Sequence, residues 1–357
     1  MAGFGTTCYD VYEVIGMGGG RGERAARSLV RGLVDRLPGP TRVRLRWQRD
    51  VLRGLAQVKR NQALLAARVA ELEESFGKTV AEAEEPPDAN FPPGVRSRIC
   101  TQAQVREPWF TAWCRVLGEK PRAHRKLWER AYVAHVLDTL GLLAPGTRGL
   151  GFAVGREPLV ALFAGRGCRV VATDLPPGAR EARAWRVSGQ LGQDLGDLRR
   201  DSLCDPNRFD ELVTWRPVDM RSVPDDLRGF DFCWSACALE HLGSLEAGMS
   251  FVERSLGTLR PGGVAVHTTE YNLGSDDGTV ATGPTVLYRE RDLLELAGRL
   301  EGTGHQVAAL SLSPGNGVLD EYVDVPPYSA EPHIRVWLRS FVTTSLAVVV
   351  RASDRRS

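Results

Sequence analysis

The stretch from Arg148 to Asp174 contains residues that are suited to binding or chemistry. A glycine-bearing turn, Gly151–Gly155, follows one apolar run, and Asp174 closes the next. Glycines let the backbone approach a ligand closely, and an acid placed here can take both hydroxyls of a ribose. The stretch therefore predicts a strand, a turn, a short helix and a second strand that together bind a nucleotide-like ligand.

Short apolar runs typical of buried strands alternate with helical patterns through the rest of the chain. After Asp174 the predicted helices span 180–193, 244–259 and 289–300, and the predicted strands span 212–216, 230–235, 264–268, 305–312 and 341–350. This order predicts an α/β fold with a doubly wound, mostly parallel sheet. No clear helix separates the last two strands, which leaves the final strand free to insert antiparallel.

Five motifs follow one another after residue 145. They are Gly149-Leu-Gly151-Phe-Ala-Val-Gly155, Val171-Ala-Thr-Asp174, Val218-Asp219-Met220, Trp234-Ser-Ala-Cys-Ala-Leu-Glu240-His241-Leu242 and Leu259-Arg-Pro-Gly-Gly263-Val. Together they resemble the class I S-adenosylmethionine-dependent methyltransferases, in particular bacterial small-molecule and glycan enzymes. The resemblance covers residues 145–352 and implies a seven-stranded, Rossmann-like sheet. It also implies S-adenosyl-L-methionine as cofactor, held by Gly151, Phe152, Gly155, Asp174, Leu175, Asp219, Met220 and Ser235.

Two positions of the first motif depart from that family. Gly149 stands where the family has an acid that helps to hold the methionine amino group, so Glu157 or the backbone near Ser235 must supply this contact. Ala153 replaces the central glycine, which a turn with negative φ would tolerate. A Rossmann dehydrogenase is the nearest competing interpretation, but its Gly-x-Gly-x-x-Gly pattern requires glycine where Val154 stands.

His241 is the best candidate for a general base if the acceptor is a hydroxyl, since an imidazole pKa of about 6.5 suits proton removal near neutrality. Glu270 is the second catalytic candidate, and a structural role for His241 is the alternative. The run Cys237-x-x-Glu240-His241, with His267 and Glu270 on the next strand, also resembles a magnesium site of related methyltransferases. Because cysteine is a poor ligand for magnesium, a divalent metal at Glu240 and His241 is an alternative and not the expectation, and a metal softer than magnesium would fit better.

Five more residues are candidates for contact with the acceptor: Trp109, Tyr271, Asn272, Tyr328 and His333. Trp109 lies in an aromatic-rich segment, where core packing is the alternative. Tyr271 and Asn272 leave the end of a strand, where loop capping is the alternative. Tyr328 and His333 belong to a proline-rich insertion before the last strand, which is either a substrate cover or a surface loop.

Three regions are expected: a helical, coiled-coil-like appendage (1–93), a helical cap (94–144) and a cofactor-binding domain (145–357). The glycines between 16 and 22 predict a flexible linker rather than a phosphate loop. Apolar residues recur in steps of four and three from Val51 to Phe76, with Gln62 as the polar interruption. This heptad pattern predicts a homodimer through residues 49–77, with packing on the chain's own domain as the alternative.

Bulk composition narrows the class of protein. The chain has 357 residues, a formal net charge of +2 and seven cysteines without a C-x-x-C pair. The near-neutral charge gives no reason to expect a nucleic-acid partner. The odd, scattered cysteines favour a reducing cytoplasm over a disulfide framework. No apolar run approaches the roughly 20 residues of a membrane span, and a cytoplasmic location is expected.

These features predict an enzyme that methylates a hydroxyl or amine of a sugar, glycan or natural-product intermediate. A second hypothesis is methylation of carbon or a carboxylate in secondary metabolism. A third is a non-catalytic partner that retains the fold to bind S-adenosylmethionine, or another protein through its N-terminal helices.

Overall fold

The computed structural model describes residues 39–75, 86–176, 178–179, 190–192, 194–329 and 331–354. The linker predicted at 16–22 and almost all of the helix predicted at 180–193 lie outside these residues. Among the helices that are described, none combines the length and the apolarity needed to cross a membrane.

The helices are α1 Gly39–Ser75, α2 Gln102–Arg106, α3 Pro108–Val116, α4 Arg125–Thr139, α5 Leu159–Gly165, α6 Leu195–Leu198, α7 Pro206–Leu212, α8 Leu245–Leu256, α9 Glu290–Gly302 and α10 Val318–Glu321. The strands are β1 Ser97–Ile99, β2 Arg148–Phe152, β3 Arg169–Asp174, β4 Val213–Pro217, β5 Phe230–Ala236, β6 Leu259–Asn272, β7 Gln306–Val307, β8 Leu310–Ser311, β9 Val323–Asp324, β10 Arg335–Leu338 and β11 Phe341–Arg351.

The parallel half of the sheet runs in the order β4-β3-β2-β5-β6. All four of its strand pairs are parallel, so the carboxyl ends of these strands lie at one edge. Asp174 ends β3, and the glycine turn follows β2 at the same edge. In open α/β sheets this edge is where ligands bind. The predicted α/β architecture is confirmed.

The other half of the sheet is mixed. Strand β11 runs antiparallel to β6 along its length, as the sequence allowed for the final strand. Strand β1 pairs antiparallel with β11 and parallel with β8, so a strand from before the helical segment lies within the sheet. Eleven strands join the sheet within the described ranges, more than the expected seven, because β1, β9 and β10 were not predicted and the strand predicted at 305–312 is divided into β7 and β8.

Successive residues of the central strands point to opposite faces, and each face has its own apolar cluster. One cluster contains residues of α3, α4, α5 and α7, and the other contains residues of α8 and α9. Segment 94–144, predicted as a cap, thus supplies β1 to the sheet and α4 to one face. The division into three domains stays a prediction.

Candidate functional site

Asp174 lies opposite the glycine turn at the carboxyl edge of the sheet. Its Oδ2 accepts hydrogen bonds from the backbone N–H groups of Gly155 and Gly192, each at 3.0 Å, and its Oδ1 accepts one from Leu175 at 2.8 Å. Burial raises the pKa of Asp174, while the N–H groups of Gly192, Leu175 and Gly155 act in the opposite direction. The fold therefore brings Gly155, Asp174 and Leu175 together, and their contact with a cofactor stays a prediction.

Residues 190–192 lie directly against the glycine turn. A Cβ on Gly155, whose φ is +53°, would approach the carbonyl oxygen of Gln190 to 2.7 Å. A Cβ on Gly192 would approach the carbonyl oxygen of Gly155 to 2.2 Å. Both positions require glycine because the two backbones touch here. Sequence reasoning missed this contact, since nothing in the pattern of 190–192 distinguishes it from a loop.

Ala153 adopts φ +47°, so the condition under which an alanine would be tolerated here, a negative φ, is not met. The turn keeps the left-handed conformation that a glycine would take, and the alanine methyl group makes that conformation costly by about 1–2 kcal/mol. Gly151 is needed for another reason: a Cβ there would come within 2.5 Å of the Trp234 and Val154 side chains.

Glu157 follows the same turn and has an unsatisfied carboxylate. Its Oε2 is buried and has no hydrogen-bond partner among the described residues. Burial raises the pKa of Glu157 to about 8; Arg130 and Lys126 act against this rise, and Glu129 and Asp174 add to it. A buried carboxylate oxygen without a partner is unusual and suits a cationic ligand group.

The other predicted cofactor residues differ in what their side chains do. Asp219 holds the guanidinium of Arg221 through two oxygens, and these hydrogen bonds lower the pKa of Asp219. Met220 is buried in the apolar cluster beside α8 and α9. Phe152 is fully buried and packs edge-on against Phe251, with ring centroids 5.1 Å apart.

The Ser235 hydroxyl is buried and forms a hydrogen bond with His267. Ser255 Oγ donates to the carbonyl oxygen of Val252 at 2.7 Å, so it accepts from His267 Nε2 at 2.9 Å. His267 Nδ1 then accepts the Ser235 hydroxyl hydrogen at 2.8 Å. The Ser235 hydroxyl hydrogen is therefore used within the protein. Burial lowers the pKa of His267 to about 3, so the ring is neutral.

A buried cluster of charged groups lies beside β5 and β6, where the first turn of α4 reaches the same edge. Arg125 Nη1 is 2.5 Å from Glu270 Oε1, and Lys126 Nζ is 3.1 Å from the same oxygen. Lys126 Nζ is also 3.2 Å from Glu129 Oε1 and contacts Cys237 Sγ. Thr268 Oγ1 donates to Glu129 Oε2 at 3.2 Å. We call these five residues, Arg125, Lys126, Glu129, Cys237 and Glu270, the ionic cluster.

The ionic cluster determines which of the two catalytic candidates can accept a proton. Burial would raise the pKa of Glu270, but Arg125 and Lys126 outweigh it and lower that pKa to about 2. A carboxylate held ionised by two cations is a weak base. The predicted base role of Glu270 is therefore less favoured than that of His241.

His241 lies on a short 3₁₀ turn after β5 and is partly accessible. Its Nδ1 is 2.7 Å from the carbonyl oxygen of Pro284, which requires a hydrogen on Nδ1. In the neutral ring, Nε2 is then the basic nitrogen, and it lies 3.8 Å from Glu240 Oε1. This tautomer suits a proton acceptor.

The metal interpretation can be tested against the donor atoms. Ligand atoms of Cys237, Glu240 and Glu270 all lie within 4.8 Å of one another. However, the ammonium of Lys126 contacts both Cys237 and Glu270, so a cation already lies against two of these three donors. His241 is not part of this group, and a metal at Glu240 and His241 stays a prediction. No step through a metal is derived.

Tyr328 and His333 lie together in the insertion. The His333 Nδ1 is 2.7 Å from Asp324 Oδ2, and its ring lies 4.5 Å from that of His124 and 5.4 Å from that of Tyr328. His124 caps the N-terminus of α4, whose next two residues enter the ionic cluster. Burial is the main cause that lowers the pKa of His124 to about 2, and His333 is the second. The insertion therefore packs on the outer side of the ionic cluster.

The other three residues predicted to contact the acceptor, Trp109, Tyr271 and Asn272, form contacts within the protein outside the ionic cluster. The Trp109 ring stacks on His135 at 4.6 Å on the face of α3 and α4. Asn272 donates to the carbonyl oxygen of Gly278 at 2.9 Å and accepts from Gly274, so it organises the loop after β6. Tyr271 is buried in the adjacent apolar cluster. Their role in acceptor binding stays a prediction.

No known protein-family profile matches the chain, and no curated protein sequence matches it. Similar solved structures include magnesium protoporphyrin IX methyltransferase from Synechocystis PCC 6803 with bound SAH, at 13% identity and TM-score 0.38 over 67% of this chain and 93% of that one. An O-methyltransferase family protein from Burkholderia thailandensis is 13% identical, with TM-score 0.34 over 64% and 60%. The CurJ carbon methyltransferase is 14% identical, with TM-score 0.35 over 64% and 54%. Likenesses this distant do not define an activity.

Sequence reasoning missed Arg125, Lys126 and Glu129. They lie in His-Arg-Lys-Leu-Trp-Glu, which has helical spacing, and they are unusual because Arg125 and Glu129 are buried and Lys126 is half-buried between them. A sequence signal existed in retrospect: three charges flank an apolar pair in a segment otherwise rich in core residues.

Proposed function

We propose that this protein transfers the methyl group of S-adenosyl-L-methionine to a hydroxyl or amine of a small-molecule acceptor. One observation carries the proposal: Asp174 ends the second parallel strand and lies 3.0 Å from the N–H of Gly155 in the turn after the first strand. An acid in this position is suited to hold the ribose hydroxyls of a nucleoside. The strand order, with antiparallel β11 beside β6, supports the same proposal.

The chain offers groups for each end of this cofactor. Glu157 has a buried, unpartnered oxygen for the methionine ammonium, in place of the acid missing at Gly149. Asp174 can bind the ribose if a ribose hydroxyl replaces the Gly192 N–H as a hydrogen-bond donor to Oδ2. The bound cofactor would supply a methyl group activated on a sulfonium. The protein's remaining task is to align the acceptor and exclude water.

His241 and the ionic cluster serve the acceptor side in this proposal. The Nε2 of His241 accepts the proton of an acceptor hydroxyl, while the hydrogen bond from Nδ1 to Pro284 holds the ring. Arg125 and Lys126 keep Glu270 ionised as a fixed charge at the rim. A sugar, glycan or natural-product intermediate of the cytoplasm remains the acceptor we propose, and the six described cysteines, all free, are compatible with that compartment.

Calorimetric titration of the full chain with S-adenosylhomocysteine tests the cofactor half of the proposal. Wild type should bind, and Asp174→Ala should bind at least tenfold more weakly because charge-assisted hydrogen bonds to the ribose are lost. Asp225→Ala is the matched control, since that carboxylate is fully exposed, and it should bind like wild type. Absence of binding at millimolar ligand would refute the methyl-transfer proposal and leave only a non-catalytic role in binding another protein.

The catalytic half needs an acceptor. A panel of hydroxyl- and amine-bearing sugars and natural-product intermediates is screened by release of S-adenosylhomocysteine. On an acceptor that reacts through a hydroxyl, His241→Asn should lower kcat by about 10²–10⁴-fold with cofactor affinity unchanged. Full turnover by His241→Asn would assign the base elsewhere.

A further inference from the structure

Helix α1 exposes its large apolar residues. The exposed fractions of Leu55, Val58 and Leu65 are 60%, 54% and 65%, and Val51 and Leu72 are each 39% exposed. These five residues lie on the stripe predicted from the heptad pattern. We call them, with Gln62 and Val69, the α1 seam. Contiguous exposed apolar surface of this kind marks an interaction site in soluble proteins.

The opposite side of α1 is attached to the rest of the chain through small residues. Ala63, Ala66 and Ala70 are buried there. Lys59 Nζ forms an ion pair of 2.9 Å with the buried carboxylate of Asp324. Arg106 Nη2 donates to the carbonyl oxygen of Ala70 at 2.5 Å. Packing on its own domain therefore uses the alanine side and leaves the α1 seam uncovered within the described part of the chain.

The spacing of the seam fits one partner helix. Its members alternate in steps of four and three, which keeps a narrow stripe facing a second helix. Gln62 is the one polar member and is exposed. A polar residue at a single core position of a coiled coil fixes register and partner number at some cost in stability.

The distribution of charge along α1 indicates which helix would pair with it and in which orientation. Residues 41–60 contain seven basic side chains and one acid: Arg42, Arg44, Arg46, Arg49, Arg53, Lys59, Arg60 and Asp50. Residues 61–75 contain three acids and one base: Glu71, Glu73, Glu74 and Arg68. Two copies in parallel would place like charges side by side. In antiparallel copies that overlap over residues 52–75, Arg53 and Arg60 of each copy lie beside the partner's stretch 67–74, which carries three glutamates and one arginine.

We propose that two copies of this chain pair through the α1 seam as an antiparallel coiled coil. In this pairing Leu55 faces the partner's Leu72, Val58 faces the partner's Val69, and Gln62 faces the partner's Leu65. Each seam residue from Leu55 to Leu72 thus meets a member of the partner's seam. The proposal is independent of the methyl-transfer function, because no seam residue is among the residues proposed to bind cofactor or acceptor.

Sedimentation equilibrium of the full chain tests the interface. Wild type should be a dimer at micromolar concentration. Leu65→Glu should raise the dimer Kd at least about 100-fold, since two leucines leave the interface per dimer. Leu64→Glu is the matched control: Leu64 is 70% exposed, adjacent in sequence and outside the heptad positions, so that variant should remain dimeric. Both replaced side chains are exposed, so circular dichroism should show both variants folded. A monomeric wild type, or equal dissociation of the two variants, would overturn the proposal.

Disulfide cross-linking tests the direction. Chains carrying Leu55→Cys are mixed with chains carrying Leu72→Cys under mild oxidation, with wild type as the background control. Antiparallel pairing should give the mixed cross-linked dimer and little of either self-linked dimer, since residues 55 and 72 are about 25 Å apart along a helix. Efficient self-linking of Leu72→Cys with no mixed product would show a parallel pair and refute the antiparallel arrangement.

Discussion

The N–H of Gly192 donates to Oδ2 of Asp174 at 3.0 Å, the same oxygen that accepts from Gly155. The Gly192 N–H thereby occupies a hydrogen-bonding position on Asp174 Oδ2 that a ribose hydroxyl of the proposed cofactor would need. Binding of the ribose must displace this contact, so part of the binding energy is spent on opening it.

Gly192→Ala should disfavour that contact, because its Cβ would meet the Gly155 carbonyl oxygen at 2.2 Å. The expected result is a loss of about 1–3 kcal/mol in the free energy of unfolding of the free protein, by urea denaturation, with S-adenosylhomocysteine affinity unchanged or higher. Gly178→Ala is the control, since nothing lies within 4 Å of a Cβ there. A fall in affinity equal to that of Asp174→Ala would mean that Gly192 contributes to the bound state.

Glu157 should make cofactor binding depend on pH. Its pKa of about 8 leaves it mostly protonated at pH 7, with Arg130, Lys126, Glu129 and Asp174 as the charged groups around it. An ammonium ligand favours the ionised form, so affinity for S-adenosylhomocysteine should rise about fivefold from pH 7 to pH 8.

Glu157→Gln should abolish this rise and weaken binding at pH 8. Adenosine is the matched ligand, because it has the ribose but no amino group, and its affinity should not change with pH in either protein. Calorimetry over pH 6.5–8 measures both. A pH-independent affinity in wild type would show that Glu157 does not receive the ammonium.

The sequence predicted the parallel half of the fold well because β2, β3 and β5 contain apolar runs with clear turn residues at their ends. It predicted the strand count poorly, since β7, β8 and β9 are two residues each and their pairing is decided by long-range contacts. Asp174 and Gly155 were found through spacing. The ionic cluster was not, because its members are distant in sequence and only the fold brings Lys126 to Glu270.

Ala153 offers a test of backbone strain. Its φ of +47° lies in the left-handed region, where an alanine costs about 1–2 kcal/mol and a glycine costs little. Ala153→Gly relieves this strain but adds freedom to the unfolded chain, worth about 0.4–1 kcal/mol. The net expectation is a gain of about 0.5–1 kcal/mol in the free energy of unfolding.

Urea denaturation of the variant measures this gain. Ala67→Gly, in the middle of α1, is the control and should lose about 1 kcal/mol if that helix unfolds with the rest of the protein. Destabilisation by Ala153→Gly would mean that the alanine methyl group makes packing contacts worth more than the strain.

His267 should link stability to pH below neutrality. Its folded pKa is about 3, lowered by burial, against about 6.5 in an unfolded chain. Between these values the unfolded state binds the extra proton, so the contribution of His267 to stability is present above pH 6.5 and is lost as pH falls. From pH 7 to pH 5 the free energy of unfolding should fall by about 2 kcal/mol from this residue. His124, with a pKa of about 2, acts in the same direction.

His267→Gln should therefore flatten, without abolishing, the dependence of the urea midpoint on pH between 5 and 7. An unchanged slope in the variant would mean that His267 is protonated in the folded protein, and the proton shifts of the His267 ring in an NMR titration would show this directly.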